Sequence, residues 1–127
     1  MSPKATRRAI NMARALVRAR DGHLCQMCGR SIVDYPSSIH HRINKGNGGS
    51  AKFERASVLI RLCGDGVFGC HGWIGREPRA AGLRGWLLPR NNPDIDPTDE
   101  PIFTIHGWIK LDDEGNRTVC IKAVPVE

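Results

Sequence analysis

Along residues 5–20 apolar side chains recur at helical spacing. Ile10, Ala13, Leu16 and Val17 share one stripe with arginines around the rest, which predicts an amphipathic helix ended by Asp21-Gly22. Beyond it the pattern breaks into short pieces. "HLCQMCGRSI" reads as a tight turn in which Gly29 relieves the backbone, "SSIHHRI" as the start of a strand, and "VLIRLC" as a strand by its length and β-branching. "NKGNGGSAKFERAS" between them is a loop, "GDGVFG" is a turn, and "CHGWIGREPRAAGLRGW" predicts a short helix weakened by Pro78 and Gly82. From Leu87 the character changes. "PRNNPDIDPTDEP" is a Pro/Asp-rich linker expected to run over the surface, and "IFTIHGWIKL", "DDEGN" and "RTVCIKAV" predict two strands joined by a turn. The expected class is α+β, in three segments: a basic helix over 1–20, a central unit over 21–90, and a linker with an acidic hairpin over 91–127. There is no internal repeat and no low-complexity tract.

The 127 residues suit one domain. No apolar run is long enough to span a bilayer, so no membrane partner is expected. The first twenty residues carry six basic side chains and no acid but lack the apolar stretch of a secretory signal, which points to the cytoplasm. Charge is divided unevenly. Residues 1–90 hold 16 Lys/Arg against 5 Asp/Glu, and residues 91–127 hold 3 against 8. The basic part is where a polyanion would bind, and nucleic acid is the default polyanion.

Five cysteines are an odd set for a disulfide framework. Four pair by spacing, Cys25-x2-Cys28 and Cys63-x6-Cys70, while Cys120 stands alone and reads as an inert strand residue. Four thiolates from two turns suit a structural Zn²⁺, which takes a tetrahedron of soft or borderline donors. Such an ion would clamp residues 25–28 to residues 63–70 and anchor His71 beside the strand carrying His40 and His41. Neighbours on a strand point to opposite faces, so those two histidines take different jobs: one faces a metal, the other a water or a phosphate.

"CQMC", "IHHR", "GNGGS", "VLIRLCGDGVFGC" and "CHGW", in that order over residues 21–76, resemble the HNH endonuclease family, in particular the small zinc-braced HNH nucleases of tailed bacteriophages. The resemblance implies a ββα-metal (His-Me finger) core braced by a zinc site of four cysteines. It implies hydrolysis of double-stranded DNA to 5′-phosphate and 3′-hydroxyl ends. It makes His41 the general base, and His40 and His71 ligands of one catalytic divalent cation: Mg²⁺, Mn²⁺, Ni²⁺ or Zn²⁺. For a phage-encoded protein it implies the host cytoplasm and a role in DNA packaging beside the terminase. A cation can polarise the scissile phosphate, and an imidazole can take the water's proton near pH 7.

Two positions depart from the family pattern. Val58 stands where relatives have the middle Asn, with Ser57 as the nearby polar support. Gly75 stands four residues after His71, where many relatives have a further ligand, and Glu77 would replace it only in an unusual helix register. Arg42, Lys45, Arg76, Arg79 and Arg84 could contact phosphates, positioning the duplex without reading its sequence. Gly46, Gly48 and Gly49 let the loop approach a backbone closely or simply connect. Two alternatives stay open: a zinc-stabilised DNA-binding module with weakened catalysis, and a zinc-braced interaction subunit using the acidic hairpin at 102–124.

Overall fold

The computed structural model describes residues 4–44 and 51–121. Lys45 and the glycines Gly46, Gly48 and Gly49 lie outside the described residues. Thr6 opens the first helix, α1 (Arg7–Asp21), by accepting a hydrogen bond from the Ala9 amide at 3.0 Å, and Gly22 caps its end. The stripe works through Ala13 and Val17, which bury against Ala56 and Leu59. Leu16 stays partly exposed and meets the turn at Gly115. At the helix end Arg20 and Asp21 are both buried. Arg20 donates to the carbonyls of Ala56 and Leu59, and Asp21 accepts from the Arg61 amide at 2.9 Å, so α1 is pinned to the central sheet.

That sheet has two antiparallel strands. β1 (Ser37–His41) pairs with β2 (Leu59–Cys63), with Ser37 opposite Cys63 and His41 opposite Leu59. After β2 the chain folds back on itself through "GDGVFG". Gly64 and Gly69 both have positive φ, and a Cβ on Gly69 would stand 2.7 Å from the Gly64 Cα and the Cys63 carbonyl oxygen. Only two glycines allow that backbone-on-backbone approach. α2 (Gly69–Arg76) then starts at once.

The expected single helix is two. Glu77 has φ −129° and ψ 61°, outside the helical region, because the ring of Pro78 disfavours α geometry in the residue before it. Pro78 itself sits in the first turn of α3 (Pro78–Leu83), where its missing N–H costs nothing. A second correction concerns the C-terminal hairpin. It is a three-stranded antiparallel sheet, β3 (Ile102–Thr104), β4 (Gly107–Leu111) and β5 (Arg117–Val119), because "IFTIHGWIKL" turns within itself. Gly107 takes φ 81°, and the Thr104 hydroxyl closes the turn by donating to the Gly107 carbonyl. Ile102, Ile109 and Leu111 from this sheet share one core with Cys25, Ile60, Leu62, Ile74 and Trp86.

Among the described residues the fold is α+β, with three α-helices and two antiparallel sheets. No helix among them is long and apolar enough to cross a membrane.

Candidate functional site

Two clusters of chemistry flank β2. The first is sulfur. The turn carrying Cys25 and Cys28 is closed by Cys25 N–H to Arg30 C=O and Gly29 N–H to Cys25 C=O, both 2.9 Å. β2 ends on Cys63, and the folded-back glycine loop delivers Cys70, whose amide points at the Cys63 sulfur at 3.4 Å. The ligand atoms of Cys25, Cys28, Cys63 and Cys70 all lie within 4.8 Å of one another, and the Cys28 and Cys63 sulfurs are 3.9 Å apart. Four sulfurs at ~2.3 Å from one zinc ion stand ~3.8 Å apart, so the cluster can hold a metal ion such as zinc. Burial pushes the Cys28 and Cys70 thiols up. Burial opposes ionisation of Cys25 too, yet backbone hydrogen bonds from Cys28, Cys63 and Met27 pull it down. Cys120 takes no part in the cluster.

The second cluster is imidazole. His40, His41 and His71 line one cleft of roughly 390 Å³, together with Asn44, Gly66 and Gly75. His40 is buried, and its Nε2 lies 2.6 Å from the Trp86 carbonyl oxygen. A carbonyl only accepts, so the network assigns the proton to Nε2 and leaves a lone pair on Nδ1. His71 can be assigned the same way. The single hydroxyl proton of Ser38 goes to the Gly64 carbonyl at 2.9 Å, so Ser38 Oγ accepts from His71 Nδ1–H at 2.6 Å. Its lone pair is then on Nε2. The two rings meet edge to face, with centroids 5.2 Å apart. That separation is the one edge-to-face packing gives, and it is also on the order of the ~5 Å between two rings bound to one ion at metal–nitrogen distances of ~2.1 Å. Each ring also has its other nitrogen held by an oxygen, the usual backing of a metal-bound histidine. Burial lowers His40 from its ordinary 6.5 to about 4, and burial also lowers His71, so both rings are neutral donors at pH 7.

His41 engages a different partner from its neighbour. Its Nε2 is 3.1 Å from Oε1 of Glu54, whose side chain is buried. Sequence reasoning missed Glu54. The one available signal was an acid in a segment where bases outnumber acids three to one, too weak to single it out. Ser38 and the Trp86 carbonyl were missed too, having no distinctive pattern.

Arg42 is a correction. It does not face a phosphate but is fully buried, donating to the carbonyls of Gly85, Ser57, Pro97 and Glu100 at 2.9 to 3.2 Å. These bonds also pin the linker, which runs over the surface as expected, with Pro97 buried. Ser57 is corrected as well. Its hydroxyl donates to Asp113 Oδ1 in the C-terminal turn, and it does not support a histidine. Val58 is buried with Ile43 and Phe53. Gly75 borders the cleft, and a Cβ there would meet nothing within 4 Å. Glu77 instead borders a separate hollow with Arg79, which is exposed. Arg76 is exposed with its guanidinium donating to the Val67 carbonyl at 2.8 Å, and Arg84 reaches the Ala80 carbonyl. A further hollow of about 310 Å³ has Lys52, Arg55 and Arg90 around Phe53, and no imidazole or thiol.

Comparison with protein-family models, with curated proteins and with solved structures returns no match for this chain.

Proposed function

We propose that the chain is a metal-dependent DNA endonuclease of the HNH type, hydrolysing double-stranded DNA to 5′-phosphate and 3′-hydroxyl ends, with a structural zinc on its four cysteines. The observation that carries this reading is the set of three imidazoles on one cleft. Two of them, His40 and His71, are held in tautomers that leave lone pairs on their remaining nitrogens. The order β1, β2, α2, with His40 and His41 ending β1 and His71 in the first turn of α2, supports reading this part as a ββα-metal unit.

A divalent cation bound by His40 and His71 would supply charge neutralisation at the scissile phosphate. The rest falls to side chains. The Trp86 carbonyl and Ser38 hydroxyl keep the two rings from turning, and His41 accepts the proton of the attacking water. The cysteine cluster fixes the start of α2, and with it His71, one residue from Cys70. Exposed Arg76 and Arg79 lie on the two helices after the cleft and would hold the DNA backbone. The family resemblance extends the proposal to a phage DNA-packaging context.

Plasmid nicking by zinc-loaded protein in Mg²⁺, Mn²⁺ or Ni²⁺, against an EDTA control, tests the proposal. His41→Ala should lose the chemical step by roughly 10²–10⁴-fold while DNA binding holds. Nicking by His41→Ala at the wild-type rate would remove the mechanism. A second reading, a zinc-stabilised DNA-binding module, is favoured by the open position at Gly75 and the apolar burial of Val58. It requires DNA binding with no nicking under any cation.

A further inference from the structure

Glu54 has no part in the proposal above, yet it is the least expected group beside the cleft. Its side chain is 2 % exposed, and its carboxylate meets His41 at 3.1 Å. Burying a carboxylate is costly unless hydrogen bonds hold it there. A single 3₁₀ turn (Ala51–Phe53) delivers it, with the Glu54 amide donating to the Ala51 carbonyl at 3.3 Å. Phe53 before it and Ala56 after it are buried, so the backbone on both sides is anchored in core.

We propose that Glu54 is the positioning residue for His41, holding Nε2–H inward and turning Nδ1 toward the reacting water. The consequence for catalysis rests on the nuclease reading; the geometry does not. A carboxylate only accepts, so the imidazole nitrogen facing it carries the proton and the other carries the lone pair. In the reaction one O–H bond of water breaks as Nδ1–H forms. The water oxygen bonds to phosphorus, the bond from phosphorus to the 3′ oxygen breaks, and that oxygen takes a proton from solvent. His41 becomes a cation during this step, and the carboxylate 3.1 Å away stabilises it, as the acid of a hydrolase triad does for its histidine. The position where the family has its middle Asn is filled by the buried Val58, so Glu54 reaches the base from another place in the chain.

The test uses the full chain with its cysteine site loaded with zinc and no second cation, labelled with ¹⁵N in the histidine rings. Wild type should show His41 as a single Nε2–H tautomer. Glu54→Gln should show a mixture, since an amide can donate or accept, with the His40 and His71 signals unchanged. In nicking assays with Mn²⁺ or Ni²⁺, Glu54→Gln should lose roughly 10–100-fold in kcat, part of the ~10²–10⁴-fold worth of a general base, with KM and zinc content unchanged. Glu54→Asp, one methylene shorter, should lose as much because it cannot reach. A wild-type His41 in the Nδ1–H tautomer overturns the proposal, and so does an unchanged kcat in Glu54→Gln. A fall in kcat with an unchanged tautomer and a lowered unfolding temperature also overturns it, making Glu54 a buried strut. If wild type nicks under no cation while the His41 signals still follow Glu54, the nuclease reading falls and the assignment of Glu54 to His41 stands.

Discussion

Replacing Arg42 by methionine keeps the aliphatic stem and removes the guanidinium, and the contacts set what that should cost. The guanidinium is fully buried and makes four hydrogen bonds, all to carbonyl oxygens: Gly85 at 2.9 Å, Ser57 at 3.0 Å, Pro97 at 3.2 Å and Glu100 at 2.9 Å. Burial lowers its pKa to about 9, with the Glu100 carboxylate pulling the other way, so it is still charged at neutral pH. Hydrogen bonds from a charged group contribute about 1.5–3 kcal/mol each, giving a gross loss of roughly 6–12 kcal/mol. Removing a buried charge recovers several kcal/mol of desolvation, which leaves a net loss of about 3–5 kcal/mol. That is a large share of the roughly 5–15 kcal/mol that holds a domain together. At about 4 °C per kcal/mol, the midpoint should fall by roughly 12–20 °C.

The assay is urea and thermal unfolding of zinc-loaded protein, with DNA binding measured by fluorescence anisotropy where both proteins are folded. Arg42→Met should be far less stable but bind duplex DNA with nearly wild-type affinity while folded. Arg42→Lys should fall between, because three ammonium donors cannot serve four carbonyls in fixed directions. A phosphate contact would give the reverse pattern. If Arg42→Met unfolds within about 1 kcal/mol of wild type and loses DNA affinity, the guanidinium faces the duplex and the buried hub is wrong. The same hub bears on the cleft. Gly85, whose carbonyl Arg42 holds, is next to Trp86, whose carbonyl holds His40, so on the proposed nuclease reading Arg42→Met should also weaken cation binding by His40 and His71.

Elemental analysis should find about one zinc per chain, lost in Cys25→Ser/Cys28→Ser and kept in Cys120→Ser; chelation should melt the fold because metal binding here is folding free energy. His40 stays neutral in the fold down to about 4, whereas the unfolded chain binds that proton below about 6.5. Its contribution is therefore full above pH 6.5 and lost as pH falls toward 4, about 3 kcal/mol in all; acid unfolding of His40→Gln should be shallower by that amount, and equal slopes would refute the buried neutral ring. With two imidazoles as the proposed ligands and no Asp or Glu lining the cleft among the described residues, calorimetry should find Ni²⁺ or Zn²⁺ bound more tightly than Mg²⁺ at the second site. Gly75→His puts a third imidazole one turn after His71, in open space, and should tighten that cation roughly tenfold, about 1.4 kcal/mol; no change would place the cation elsewhere.

What the sequence makes legible here depends on whether a contact is made by rare side chains or by the backbone. The cysteines announce their cluster through spacing alone, because few thiols cluster without a shared purpose. The helix at residues 7–21 is readable from its stripe and from Thr6 and Gly22 at its ends. Arg42 is illegible for the opposite reason. In "HHRINK" it looks like one more base on a basic surface, and its partners are carbonyls at positions 57, 85, 97 and 100, which every residue possesses. The holders of His40 and His71, a main-chain carbonyl and a serine, are as anonymous. The turn at Ile105-His106 hides in an apolar run because Ile105 is partly exposed, and only Gly107 betrays it. Pro78 reads as a weak point in one helix, whereas sterics before a proline act on Glu77 and divide the segment into two. Glu54 lies between these extremes: it is a distinctive residue, but its partner is 13 positions away across a loop whose path no periodicity specifies. A sequence can therefore name the chemistry a site contains, while the atoms that hold the chemistry in place are mostly backbone and become visible only when the chain is folded.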